Sequence, residues 1–227
     1  MIRAIVTDIE GTTGSIAFVH EVLFPYARRR LPEWLEANVQ WPAVAEQVHA
    51  VRLAAEEPDA DVARVGEILL AWLDSDRKVT PLKTLQGMIW EQGYADGDFT
   101  GHVYDDAVRQ LRAWLDAGIA LYVYSSGSVH AQKLLFGHSD HGDLTPLFSG
   151  YFDTTTGPKR EAVSYVRIGE ELGLPGEEIL FLSDVVAELD AAHEAGLQTT
   201  QLVREANMST GHHPVAHSFD EVSVRGT

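Results

Sequence analysis

The sequence predicts an α/β fold: a parallel sheet with helices on both faces, interrupted after its first strand by an inserted all-helical segment. Three observations predict it. A short β-rich run opens the chain and stops at acids and a glycine turn. Roughly 75 residues of helical periodicity follow without a convincing strand. From about Tyr104 onward, helix and strand patterns alternate. Such alternation implies crossover connections and a parallel sheet. Because strand one precedes the helical block and the other strands follow it, the block reads as an insertion. The chain therefore divides into an α/β core of residues 1–15 plus 101–227 and a helical segment of residues 16–100.

The opening stretch, Ile2 to Thr13, reads Ile-Arg-Ala-Ile-Val-Thr-Asp-Ile-Glu-Gly-Thr-Thr. A β-branched run stopped by Gly is a strand, so Asp8 and Glu10 fall at its carboxyl end. Side chains at i and i+2 share a face of a strand, which lets the two acids converge. Close carboxylates repel unless a positive charge lies between them, and Mg²⁺, which takes oxygen ligands, suits that place.

In the helical block, His20 to Asn38 is a helix interrupted by Pro25 and Pro32, and Pro42 to Glu57 is a second. Between Ala60 and Asp74, the residues Val62, Val65, Ile68, Leu69, Trp72 and Leu73 repeat at the three-and-four spacing of one buried face. Thr80-Pro81 starts a further helix, with Thr as cap, running to about Gln92. Beyond it, Asp105 to Ala117 is a helix closed by Gly118, and Ile119 to Tyr124 is a strand ending in Ser125-Ser126-Gly127-Ser128. Val129 to Phe136 is helical, Gly150 to Thr156 holds a short strand, and Arg160 to Leu172 is a helix closed by Gly173. Glu178 to Leu182 is a buried strand ending in Ser183-Asp184, Val185 to Ala195 a helix, and Gln198 to Val203 the last strand.

Composition narrows the function. Lys and Arg number 17 against 34 Asp and Glu, a net charge of −17. That balance argues against nucleic acid or an anionic membrane as partner, and it means that an anionic substrate needs a local metal or Lys. There is no cysteine, hence neither disulfide nor thiolate chemistry. No leader pattern opens the sequence and no apolar run approaches ~20 residues, so the expectation is a soluble, cytoplasmic protein.

In doubly wound sheets, ligands bind beyond the carboxyl ends of the strands, and the residues there form a kit for handling phosphate. Strand one supplies Asp8 and Glu10, strand two Ser125 and Ser126, the loop after the third Lys159, and the fourth Asp184 with Glu188 a helical turn later. Acids hold Mg²⁺, hydroxyls and N–H groups at a helix start take phosphoryl oxygens, and the ammonium neutralises developing charge. Asp8 can attack phosphorus to form an aspartyl-phosphate. Glu10 can protonate the leaving oxygen and then activate water.

This ordered set resembles the haloacid dehalogenase superfamily of phosphohydrolases. Asp-Ile-Glu-Gly-Thr-Thr at 8–13 is similar, within it, to the acireductone synthase family, the enolase-phosphatases of methionine salvage. So are Phe24-Pro25-Tyr26-Ala27-Arg28, Asp76-Arg77-Lys78-Val79-Thr80, Leu85 to Trp90, Gly101-His102-Val103-Tyr104, Tyr124 to Ser128, Gln132 to Gly137, Gly157-Pro158-Lys159 and Phe181 to Asp184. Val203-Arg204-Glu205-Ala206-Asn207 departs from the Pro-Gly expected before the Asn, which puts that loop's geometry in question. The resemblance implies a Rossmann-like core with strand one central, a helical cap, and one Mg²⁺ per subunit held by Asp8, Glu10 and Asp184. It also implies Ser125, Ser126 and Lys159 as substrate contacts, with Lys159 also catalytic, and a monomer as the default. The implied substrate is a small phosphorylated diketone, 2,3-diketo-5-methylthiopentyl-1-phosphate, enolised and then dephosphorylated; the alternative is another small phosphate ester. Glu10 is the candidate base for enolisation.

Other residues have plainer readings. Phe18, Trp90 and Tyr94 could hold the methylthio tail, but core packing of the cap is the favoured reading. His130, His138 and His141, and likewise His212, His213 and His217, match no zinc spacing. Glu188 and Asp190 read as a solvated helix face or as support behind the ligands. Arg28-Arg29-Arg30 reads as solvent-facing. No Gly-Lys-Ser/Thr nucleotide loop follows Gly11.

Overall fold

The computed structural model describes residues 1–75 and 77–224; Asp76, within one of the motifs above, and residues 225–227 lie outside the described residues. In chain order the elements are β1 (Ala4–Thr7), α1 (Ile16–Phe18), a π-helical turn (Val19–Leu23), α2 (Phe24–Asn38), α3 (Pro42–Ala54), α4 (Val62–Asp74) and α5 (Thr80–Asp96). They continue with α6 (Asp105–Asp116), β2 (Ala120–Tyr124), α7 (Val129–Gly137), β3 (Gly150–Phe152), α8 (Ala162–Leu172), β4 (Ile179–Ser183), α9 (Val186–Glu194), β5 (Gln198–Leu202) and β6 (Val215–Ala216). The chain forms two units, Met1–Phe18 with Thr100–Thr227, and Val19–Phe99.

In the first unit the strands lie in the order β3-β2-β1-β4-β5-β6, every neighbouring pair parallel. Alternation along each strand sends side chains to opposite faces. Ile5, Leu121, Val123, Leu180 and Leu182 enter one apolar cluster with Leu111 and Trp114 of α6 and Leu135 and Phe136 of α7. Ala4, Val6, Ile179 and Phe181 enter the other with Tyr165 and Ile168 of α8 and Leu189 of α9. Both faces are covered, which is why β1 and β4 are buried along their whole length. Successive strands move outward from β1 to β2 and β3, then resume on its other side at β4. The order of strands therefore reverses at β1 and β4, and the crevice at that reversal is where doubly wound sheets bind ligands. Gln198 to Val203 is not the last strand: β6 pairs with Gln201 and Leu202. Two residues are too few to show an alternation in sequence.

Among the described residues every regular element of the second unit is helical, and the unit has its own core. Val65, Ile68, Leu69 and Trp72 of α4 pack with Trp34 and Leu35 of α2, Val44, Val48 and Val51 of α3, and Leu82, Leu85 and Ile89 of α5. Pro25 and Pro32 do not interrupt the first long helix, since Pro25 sits in its first turn and α2 runs on through Pro32. Pro32 deletes one helical hydrogen bond, while buried Leu31, Trp34 and Leu35 fix the helix on either side of it. Thr80 is not the cap of α5, which starts from Val79 with Pro81 in the first turn, and the helix passes Gln92 to end at Gly97. Gly93 is required inside it, because a Cβ there would meet Tyr26 and Phe99 ring atoms at 2.6 to 2.8 Å.

Candidate active site

Past β1 the ladder continues one step, with Asp8 N–H donating to the Leu182 carbonyl at 2.9 Å, and the chain then turns sharply. The Gly11 N–H reaches the Gly14 carbonyl (2.9 Å) and the Thr12 N–H the Ile9 carbonyl (3.1 Å). Gly11 has φ +71°, and a Cβ there would stand 2.5 Å from Asp184 Oδ2. The residue must be Gly on two counts, left-handed backbone and room for the acid. Thr12 Oγ1 accepts the Asp184 N–H at 3.1 Å, tying the end of β4 to this turn. Thr13 Oγ1 donates to the Asp8 carbonyl at 3.1 Å.

Lys159 Nζ lies 2.7 Å from Asp8 Oδ1 and 2.6 Å from Glu188 Oε2, all three side chains nearly buried. Its loop is pinned by three hydroxyls that donate to consecutive carbonyls: Tyr124 to Gly157 (2.8 Å), Ser164 to Pro158 (2.8 Å) and Tyr165 to Lys159 (2.7 Å). Ser183 Oγ donates to Glu188 Oε2 at 3.0 Å. Glu188 is thus not on a solvated face. It lies on the buried side of α9, one turn past Asp184, because the start of α9 turns that side toward Lys159.

Three acids, Asp8, Asp184 and Glu188, share this pocket with one ammonium. Burial works to lower the Lys159 ammonium, but the Asp8 and Glu188 charges outweigh it and hold it protonated. Burial, then the Asp8 charge, push Asp184 up to about 7, and the same two causes, opposed by Lys159, raise Glu188. Asp184 Oδ1 is buried without a hydrogen-bond partner. An orphaned carboxylate oxygen beside a second acid is a place where a hard divalent cation with oxygen ligands fits. Asp8 and Asp184, with half-buried Glu10 two residues beyond Asp8 at a bridge to Gly14, could hold it.

Ser125 and Ser126 follow β2, the strand beside β1. Ser125 is buried and its Oγ accepts the Gly127 N–H at 3.1 Å, while Ser126 is exposed. Gln132 Nε2 donates to the carbonyls of Gly127 and Phe152, both at 2.8 Å, and fixes this loop to the end of β3. Arg204 was not foreseen as part of the frame. Its Nε and Nη2 donate to the Thr12 carbonyl at 3.1 and 2.9 Å, its Nη1 to Asp106 Oδ2 at 2.8 Å, and its guanidinium stacks 4.2 Å from the Tyr104 ring centre. The departure from Pro-Gly just after it leaves this anchor in place. An Arg directly after a strand was the available signal.

Phe18 packs against the core of the sheet unit. In the helical unit, Trp90 Nε1 donates to the Leu23 carbonyl at 2.9 Å, and Tyr94 is buried with its ring 4.5 Å from that of Phe99.

A model of the haloacid dehalogenase-like hydrolases matches residues 2–196. Enolase-phosphatase E1 of Pseudomonas aeruginosa is 60% identical over 223 residues, 98% of this chain and 99% of that relative. The enzyme of the same name from Methylococcus capsulatus is 57% identical over 222 residues, covering 98% of each. Among solved structures, the UTR4 protein of Saccharomyces cerevisiae superposes with a TM-score of 0.85 at 32% identity, over 98% of this chain and 100% of that one. The chain belongs to the haloacid dehalogenase-like hydrolases, and within them to the enolase-phosphatase E1 family.

Proposed function

We propose that this protein enolises 2,3-diketo-5-methylthiopentyl-1-phosphate and then removes its phosphate, releasing the acireductone 1,2-dihydroxy-3-keto-5-methylthiopentene in methionine salvage, with Asp8 as nucleophile. The observation that carries the chemistry is the Asp8–Lys159–Glu188 bridge beside Asp184, whose carboxylate oxygen has no partner. The relatives' name, enolase-phosphatase, supports the pairing of enolisation with phosphate release.

Asp8, Glu10 and Asp184 would hold one Mg²⁺, which when bound supplies neutralisation for the phosphoryl group and for an enolate oxygen. Glu10 takes a proton from the phosphate-bearing carbon and keeps it, while the C2 carbonyl oxygen takes one from solvent, giving the enol. An Asp8 carboxylate oxygen then bonds to phosphorus as the bond to the enol oxygen breaks, and Glu10 returns a proton to that oxygen. The Glu10 carboxylate next removes a proton from water, whose oxygen displaces Asp8 from phosphorus and releases phosphate. Lys159, with Ser125 and Ser126, binds the phosphoryl oxygens, and Glu188 positions the Lys159 ammonium. Residues 16–100 are read as the cap insertion of this family, and a cytoplasmic monomer is the proposed setting.

The test is anaerobic incubation with the diketo phosphate and Mg²⁺, following enol absorbance and phosphate together, beside Asp8→Asn and Glu10→Gln. Enol formation followed by phosphate release, with release lost in Asp8→Asn, supports the reading. Phosphate without enol reduces it to a phosphatase of another ester. Enolisation retained in Glu10→Gln removes Glu10 as the base.

A further inference from the structure

Away from the carboxylate pocket, the chain after β5 lies against α9 and brings together donors far apart in sequence. His213, whose side chain is 2% exposed, has Nε2 3.0 Å from Asp190 Oδ1 and Nδ1 2.9 Å from Thr199 Oγ1 of β5. His212 stacks beside it, ring centres 4.2 Å apart, with Nδ1 3.8 Å from the same Asp190 oxygen. One ligand atom from each of Asp190, His212 and His213 lies within 4.8 Å of the others. We propose that Asp190, His212 and His213 form a second, transition-metal site that takes Zn²⁺ or a cation of similar softness.

The donor set is two imidazoles and one carboxylate, which suits Zn²⁺ and does not suit Mg²⁺. Ligands on a tetrahedral ion with bonds of about 2.0–2.1 Å stand about 3.3 Å apart. The observed 3.0 and 3.8 Å bracket that separation, so small side-chain rotations admit the ion. Thr199 supplies the outer contact that metal-bound imidazoles require. Facing a carboxylate, which only accepts, neutral His213 carries its proton on Nε2, and Nδ1 accepts from the Thr199 hydroxyl. On metal binding Nε2 gives up that proton, Nδ1 carries one, and the same hydroxyl turns to accept from it. A hydroxyl can do both, so the outer contact survives loading. His193, one helical turn beyond Asp190, has its ring centre 6.2 Å from that of His212 and 6.1 Å from that of His213, within side-chain reach of a fourth position; otherwise water completes the shell.

Bound metal would fasten the segment after β5 to α9. Gln201 already joins that segment to the catalytic loop, its Nε2 donating to the Ser209 and Asp184 carbonyls at 3.0 and 3.1 Å.

The experiment is a Zn²⁺ titration by calorimetry in excess Mg²⁺, which occupies the oxygen site, with Cu²⁺ spin resonance as a second readout. The wild type is expected to bind one Zn²⁺, and the Cu²⁺ signal to show splitting from two imidazole nitrogens. His212→Ala removes an exposed side chain. Asp190→Ala also removes the partner of buried His213 Nε2, so its folding is checked by circular dichroism, and each should weaken Zn²⁺ at least about tenfold. His213→Gln, checked for folding by circular dichroism, should abolish the two-nitrogen splitting. Equal Zn²⁺ affinity in wild type and His212→Ala, or a Cu²⁺ signal without nitrogen splitting, would overturn the proposal.

Discussion

Gly11→Ala tests the frame of the carboxylate pocket with a single methyl. The new Cβ meets two separate penalties: backbone at φ +71°, and Asp184 Oδ2 at 2.5 Å. Left-handed backbone costs a non-glycine residue about 1–2 kcal/mol, which in a chain of this size lowers Tm by roughly 2–8 °C. The contact adds something different, because Asp184 must move by several tenths of an ångström or more. Displacements near 1 Å at reacting groups cost about 100-fold in rate. Gly173→Ala is the control, since Gly173 has φ +65° with nothing within 4 Å of its virtual Cβ. Both variants should lose Tm in a thermal melt, Gly11→Ala at least as much as Gly173→Ala. Only Gly11→Ala should lose about 100-fold in kcat/KM for phosphate release and need more Mg²⁺ for half-maximal rate. If Gly11→Ala keeps full activity, or Gly173→Ala loses as much, the argument that Gly11 makes room for a working Asp184 is wrong.

Lys159→Met leaves Asp8 and Glu188 buried without their cation; it should cost about 3–5 kcal/mol in urea unfolding and abolish phosphate release. Adding Glu188→Gln should restore part of the stability and none of the activity, so a double variant no more stable than the single would show that Glu188 is not held by Lys159. Tyr165→Phe should lose about 1 kcal/mol and lower kcat, because the Lys159 carbonyl loses its donor; unchanged kcat means the loop holds without it. Chelation of divalent cations should stop phosphate release and excess Mg²⁺ restore it, so activity that survives exhaustive chelation would exclude a metal role for Asp8, Glu10 and Asp184.

The strand ends were legible because each announces itself locally, as a β-branched run stopped by Gly, Ser or Asp. Asp8, Ser125 and Asp184 could therefore be set at strand ends from the sequence, whereas which strand neighbours which is carried only by the long-range pairing of β1 with β2 and β4. Glu188 and Asp190 could not be told apart, since both are acids in one short helix. Only the packing of α9 separates them, burying Glu188 against Lys159 and leaving Asp190 exposed beside His213. The spacing of His212 and His213 matches no local zinc motif, and it carries no information about a third donor more than 20 residues upstream. The continuation of α2 through Pro32 was hidden for a similar reason, because helix packing overrides a local breaker.

Arg204 bears on when the enzyme can become active. Its bonds to the Thr12 carbonyl span 192 positions, and the Asp184 bond to Thr12 spans 172. A ribosome delivers Asp8, the proposed nucleophile, long before Asp184 and Arg204, the groups that fix its turn. Such distant pairings form late in folding. A nascent or truncated chain that stops short of Arg204 would carry Asp8 without the frame that orients it, so the proposed phosphoryl chemistry waits for that segment.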